Sequence, residues 1–274
     1  LYRVGETSHL LGDSKSAEPA LAEFVTKRPD DPLLEFAIAS LGRVQLQLGK
    51  RPEAKTTLRN AINKFPKGRL ADQSQFDLAQ TLEQLGEKDE AIRLYVAVAA
   101  IPASKFADDA QLALGTRYFE DKNLDAAMQA FQELERKFPA SPWVASAKLN
   151  RALCLYQLKR FDQAQALLEA QAQGESKEVP EAWYWLGMTQ KARGQLDVAA
   201  KTLLDGYSKF GSSPVAAEML FYAALAQFQQ GQFAPAMERL QEFSVKFPKH
   251  ELVDDSLYYA VESARANGQH EQAF

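Results

Sequence analysis

Residues 107–139 read Ala107-Asp-Asp-Ala-Gln-Leu-Ala-Leu-Gly-Thr-Arg-Tyr-Phe-Glu-Asp-Lys-Asn-Leu-Asp-Ala-Ala-Met-Gln-Ala-Phe-Gln-Glu-Leu-Glu-Arg-Lys-Phe-Pro139. The stretch encodes two amphipathic helices, a turn and a stop. In its second half Ala127, Phe131 and Leu134 follow one another at steps of four and three, which sets them on one helical face. In its first half Gly115 lies between Leu114 and Tyr118, a small residue where a paired helix can come close. Pro139 cannot continue a helix, so the Phe138-Pro139 pair ends the unit.

The same code recurs along the whole chain. The small residue opening the second helix is Ala17, Ala54, Ala91, Ala127, Ala164, Ala199, Ala236 and Ala273, at steps of 37, 37, 36, 37, 35, 37 and 37. A fixed period of this length marks a repeat array. Five residues earlier a glycine ends the first helix in six units, at Gly12, Gly49, Gly86, Gly194, Gly231 and Gly268. Lys122 and Lys159 stand there instead, so the turn is made at a cost or is shared with Asn123 and Arg160. A large apolar residue follows each alanine by four: Leu21, Leu58, Tyr95, Phe131, Leu168, Leu203 and Leu240. Three further on the stripe stays apolar except at Gln171. Twelve before each alanine stands Gly5, Gly42, Ala79, Gly115, Ala152, Gly187, Ala224 or Val261. Each hairpin is too small to bury its own apolar faces, so stacking on its neighbours must bury them.

Two places depart from the code. Pro19 lies two residues after Ala17 and predicts a helix starting late, near Ser16, because proline is accepted only in the first turn. Between Leu168 and the next helix the polar run Ala170–Pro180 displaces the stop to Pro180. It predicts a longer, mobile connection, with a hinge or contact loop as the functional alternative.

The totals exclude several classes. The 274-residue chain is 46% hydrophobic and 25% charged, ordinary for a soluble protein. Its net charge of -4 argues against nucleic acid and anionic membrane as general partners. The longest apolar run, Tyr95–Ala103, is broken by Pro102 and is far short of the roughly 20 residues of a membrane-spanning helix. The single cysteine, Cys154, sits among Ala152, Leu153 and Leu155 and reads as a small core residue. The chain starts at Leu1 and stops at Phe274 within the repeat phase, so a piece of a longer protein is expected, with the array ends open to self-association.

The chain resembles the tetratricopeptide repeat family, on the small crossing residues, the alanine opening the second helix and the proline closing it. The period is longer than the usual ~34 of that family. Lys64-Phe65-Pro66, Lys137-Phe138-Pro139 and Lys246-Phe247-Pro248 look like a bacterial subgroup, similar to the envelope lipoprotein repeats of the outer-membrane assembly machinery and to the periplasmic partner of the Tol system. The resemblance implies an all-α, right-handed superhelical solenoid of about seven and a half helix-turn-helix units, one array over residues 1–274. It implies that first helices line a concave groove receiving a peptide or partner protein. A periplasmic or envelope-associated location follows from the subgroup, with the cytoplasm as alternative.

Carried onto this sequence, the groove positions lie three before, one after and four after each small crossing residue. Towards the N-terminus they are mixed, with Arg43, Gln80 and Glu83. From the fourth repeat they turn apolar and aromatic, and the expected partner-binding residues are Phe119, Tyr156, Tyr184, Met188, Phe221, Leu225, Phe228 and Tyr258. Packing between helices is the competing role for the same side chains. Of Trp183 and Trp185, at least one is expected in the core; Trp143 reads as a structural plug.

Nothing in the chain argues for catalysis, a metal or a cofactor. His9, His250 and His270 are far apart and lack partners at ligand spacing, and His250 and His270 read as solvated turn residues. The glycines are single and periodic, unlike a phosphate loop. The pairs Asp30-Asp31, Asp108-Asp109 and Asp254-Asp255 sit where carboxylates cap helices. The reading is a non-catalytic interaction scaffold. The alternatives are a self-associating spacer or the helical regulatory region of a larger bacterial envelope protein.

Overall fold

The computed structural model describes residues 1–268; Ala273, His270 and the end at Phe274 lie outside the described residues. Within them the fold is all-α, fifteen helices with no strand. The chain divides into two compact units, residues 1–121 with 136–143 and residues 122–135 with 144–274.

In the first unit, α1 (Tyr2–Leu10) pairs with α2 (Ser14–Lys27), α3 (Leu34–Gln47) with α4 (Arg51–Lys64) and α5 (Ala71–Gln84) with α6 (Lys88–Ala99); α7 (Ala107–Glu120) packs on α6. The second unit holds most of α8 (Leu124–Lys137), then the pairs α9 (Val144–Gln157) with α10 (Phe161–Ala172), α11 (Val179–Ala192) with α12 (Leu196–Lys209), and α13 (Ala216–Gln229) with α14 (Phe233–Lys246). There α15 (Val253–Ala266) closes on α14. Each unit is a stack of helix hairpins, and successive first helices touch: α1 with α3 and α5 beyond it, α9 with α11, α13 and α15.

The repeat code is the core. The alanines from Ala17 to Ala236 are fully buried, as are their partners one turn on, such as Leu58, Tyr95, Leu168 and Leu240. The glycines between paired helices take positive φ, and Lys122 and Lys159 take the same conformation at φ 62° and 58°. After Lys122 the chain is helped by Asn123, whose Oδ1 accepts from the Ala126 N–H at 3.4 Å. The polar exception in the stripe is paid by a bond: Gln171 is buried, and its Nε2 donates to the Ala145 carbonyl at 2.7 Å.

Two expectations about helix ends are corrected. The second helix of the first hairpin begins at Ser14, not near Ser16, because Asp13 caps it through the Ser16 N–H at 3.1 Å. Pro19 then falls inside the helix. The connection after α10 is also not long. Residues 173–178 equal in length the links 28–33 and 65–70; α10 is shorter, and Pro180 sits in the first turn of α11. Buried Glu178 anchors the link by accepting from the Ser146 hydroxyl at 2.5 Å.

Cys154 is a buried free thiol, and burial pushes its pKa up to about 12. Asp108 and Asp109 lie in the first turn of α7 and tie it to the next link instead of capping. Asp108 accepts from Ser141 at 2.6 Å and Asp109 from the Trp143 indole at 2.8 Å. His250 is not a solvated residue. Its ring packs edge-on against Phe243 at 5.5 Å, its Nδ1 accepts from the Leu252 N–H, and its Nε2 lies 3.7 Å from Glu218.

Candidate functional site

The first helices of the second unit carry a run of rings. Tyr156 of α9 meets Trp185 of α11 edge-on at 5.2 Å between centroids. Trp185 meets Tyr184 at 5.1 Å, and Tyr184 reaches Tyr222 of α13 at 6.1 Å. A second group joins Phe233, Phe228, Tyr259 and Tyr258, at 5.5, 5.4 and 5.2 Å in succession. The tilted and edge-on geometries are those that ring quadrupoles favour. The rings are half-buried, except Tyr258, which is 59% exposed.

The helical period explains the arrangement. On α9 and α13 the residue three before the small crossing residue, Leu149 or Phe221, is buried, and the next residue, about 100° round, is only half-buried beside it. So Phe221 is only 3% exposed and packs on Phe243 of α14, in the core. Its expected role as a contact residue is corrected: Tyr222, one position on, stands on the ring face in its place. Leu225 packs against the same core cluster and stays half-buried, as does Met188. Phe119 belongs to the first unit. Tyr222 and Tyr259 were not singled out from sequence, and Trp185 only as one of a pair with Trp183. Their signal was the row two before the crossing residue, Asn150, Trp185, Tyr222 and Tyr259. Trp183 points the other way, donating to the Ala172 carbonyl at 3.2 Å under the Lys209 ammonium.

The hydroxyls of Tyr156, Tyr184 and Tyr222 make no hydrogen bond to another described side chain. Burial raises the pKa of all three, and the carboxylates of Glu218, Glu251 and Asp255 push Tyr222 the same way. Glu218 keeps one oxygen buried and without a partner. The Lys191 ammonium lies 5.8 Å from the Tyr222 ring centre, so that ring already takes a cation on its face.

Hollows also lie elsewhere. In the first unit a pocket of about 500 Å³ opens among Phe76, Glu83, Tyr95, Leu112 and Arg117, within the mixed zone. Arg117 is buried there among Glu83, Glu120 and Asp121, and the Tyr95 hydroxyl donates to Glu83 at 3.0 Å. In the second unit a cleft of about 710 Å³ lies on the second helices, between α12 and α14. Its polar groups satisfy one another: Tyr207, Arg239 and Lys246 all donate to Glu242, at 3.1, 3.1 and 2.8 Å. Among the described residues no group of three His, Cys, Asp or Glu side chains is placed to hold a metal, and no helix is long and apolar enough to cross a membrane.

Family models match three stretches. Two described as tetratricopeptide repeat cover residues 40–106 and 218–250, and one described as outer membrane lipoprotein covers 109–196. No curated protein matches the chain. Among solved structures, it is similar to the C-terminal part of a TPR repeat-containing protein from Cytophaga hutchinsonii. The TM-score is 0.76 at 12% identity over 94% of this chain and 99% of that one. A tetratricopeptide repeat protein from Parabacteroides merdae aligns with TM-score 0.60 at 18% identity, over 93% and 95%. The apo form of RapI aligns with TM-score 0.71 at 12% identity, over 98% and 82%. At these identities the likeness is one of fold.

Proposed function

We propose that this chain, a tetratricopeptide-repeat protein, is a non-catalytic interaction scaffold that holds a peptide or partner protein on the first helices of its second unit. Such repeats generally mediate protein–protein interaction. The observation that carries the reading is the half-buried ring run Tyr156–Trp185–Tyr184–Tyr222, with three hydroxyls left without side-chain partners. Aromatic side chains offer large contact area at low entropic cost, and free hydroxyls let a polar backbone be satisfied on docking. Met188, Leu225, Phe228 and Tyr258 extend the face; Phe221 supports it from beneath. We take residues 1–274 as one continuous repeat array and place it in the bacterial envelope, on the strength of the outer membrane lipoprotein match over 109–196.

The test uses peptides selected on the intact chain from a random library. Tyr184→Ser together with Phe228→Ser is expected to weaken their binding by roughly tenfold or more, since buried aromatic anchors carry most of an interface's energy. Circular dichroism must remain unchanged. Equal affinity in a folded double variant would place the binding face elsewhere.

A further inference from the structure

The rings of the second unit are not set in neutral surroundings. On three successive first helices an acidic residue precedes a ring by four positions: Glu181 before Trp185, Glu218 before Tyr222 and Asp255 before Tyr259. Residues four apart share a helical face, so each ring has a carboxylate one turn away. The corresponding pairs in the first unit, Phe36 with Ser40, Gln73 with Asp77 and Asp109 with Ala113, do not repeat this. Lys191 stands over Tyr222, Lys177 lines a hollow together with Glu181, and the His250 imidazole faces Glu218 at 3.7 Å. Glu218 retains an oxygen with no protein donor.

We infer that the occupant of this face is a cationic protein segment, whose Lys or Arg side chains lie against Trp185, Tyr222 and Tyr259 with the carboxylates of Glu181, Glu218 and Asp255 beside them. The inference rests on the ring face being the binding face. A ring attracts a cation to its π surface, and a carboxylate at its edge adds charge attraction. Lys191 already shows the first half of that arrangement within the chain. The face is spread over three helices and is not a closed cavity, so it suits an extended chain better than a small cation. Packed helices stand roughly 8–10 Å apart. A chain in the polyproline II conformation advances about 3.1 Å per residue and presents every third side chain on the same face. A cation at every third residue therefore matches one repeat per step.

The probes are two capped peptides, three Lys-Leu-Ser triplets and three Glu-Leu-Ser triplets, titrated into the intact chain while tryptophan fluorescence is followed. The lysine peptide is expected to bind at least tenfold more tightly. Glu218→Gln with Asp255→Asn is expected to remove most of that advantage. Equal affinities overturn the inference, and so does an advantage that survives neutralisation. If the double variant loses its helical signal, the wild-type chain decides. The advantage must shrink several-fold as salt rises from about 0.05 to 0.5 M, and a salt-independent advantage overturns the inference. Binding of both peptides that is lost in Tyr184→Ser sinks the cationic partner while the ring face stands. If neither peptide binds, the cationic partner falls, and the library-selected peptides judge the face separately.

Discussion

At the residue scale, the chain spends conformational energy at two lysines. Lys159 holds φ 58°, and its N–H donates to the Tyr156 carbonyl at 2.9 Å while the Arg160 N–H donates to Leu155 at 2.8 Å. Gly49 and Lys50 make the same pair of bonds to Leu46 and Gln45. The turn is thus identical, and only the side chain is unsuited to it, since a Cβ in the left-handed region costs roughly 1–2 kcal/mol. Lys159→Gly is expected to stabilise the fold by about 1 kcal/mol, after the added freedom of glycine in the unfolded chain is set against the relief. Urea unfolding of the two proteins checks this; a lower midpoint for the glycine variant would show that the Lys159 side chain contributes more than its strain. The lysines were legible as departures because the periodic glycine made them so. Tyr222 and Tyr259 were not. A helical residue and its successor differ by about 100° of rotation, and spacing alone does not say which of the two the neighbouring helix covers.

At the scale of the element, the distance between paired helices is set by one small residue against one large one. A Cβ built on Gly42 would lie 2.6 Å from both Cγ and Cδ2 of Leu58, sixteen residues on. At the equivalent crossings Ala152 and Ala224 are accommodated beside buried Leu168 and Leu240. The hairpins are therefore variants of one design with slightly different approach, and each is fitted to its own residue. Gly42→Ala is expected to cost about 1–3 kcal/mol by overpacking. The cost should largely vanish in a Leu58→Ala background, where the methyl fills part of the cavity left behind. A double-mutant cycle reads this directly, and additive effects would mean that the helices move apart freely. This level of the fold was almost wholly readable, because alanine, glycine and proline recur in phase and each has one steric reason to be where it is. The exceptions follow from bonds that no periodicity shows. The link before α11 looked long because its stop residue is missing, but Gln171 and Glu178 hold it to α9.

At the scale of the whole molecule, stability as a function of pH is set by carboxylates pulled in opposite directions. Burial raises Asp77, Asp109 and Glu135 above the usual range. Asp121 and Glu242 are partly desolvated as well, but hydrogen bonds from Lys88 and Arg117, and from Lys246, Tyr207 and Arg239, outweigh that and hold them low. The strongest case is Asp77, 7% exposed, with one oxygen unpartnered and Arg43 no closer than 3.6 Å; its pKa reaches about 6. A carboxyl with a raised folded pKa favours folding while protonated. Its contribution is complete below the unfolded value near 4 and is lost as pH rises through about 6. Two pKa units correspond to about 3 kcal/mol. The carboxylates held low work the other way, and their contribution disappears as pH falls below about 4. The melting temperature of the chain is therefore expected to be highest near pH 4, to fall as pH rises to about 6, and to change little from there to pH 7.5. Asp77→Asn, which keeps the shape and cannot ionise, should leave the acidic maximum in place and remove most of the fall. Thermal melts of both proteins at pH 4.5, 6 and 7.5 settle the matter. A wild-type melting temperature that rises across this range would mean that Arg43 draws close enough to compensate the buried charge, and that the Asp77 carboxylate stabilises the first unit.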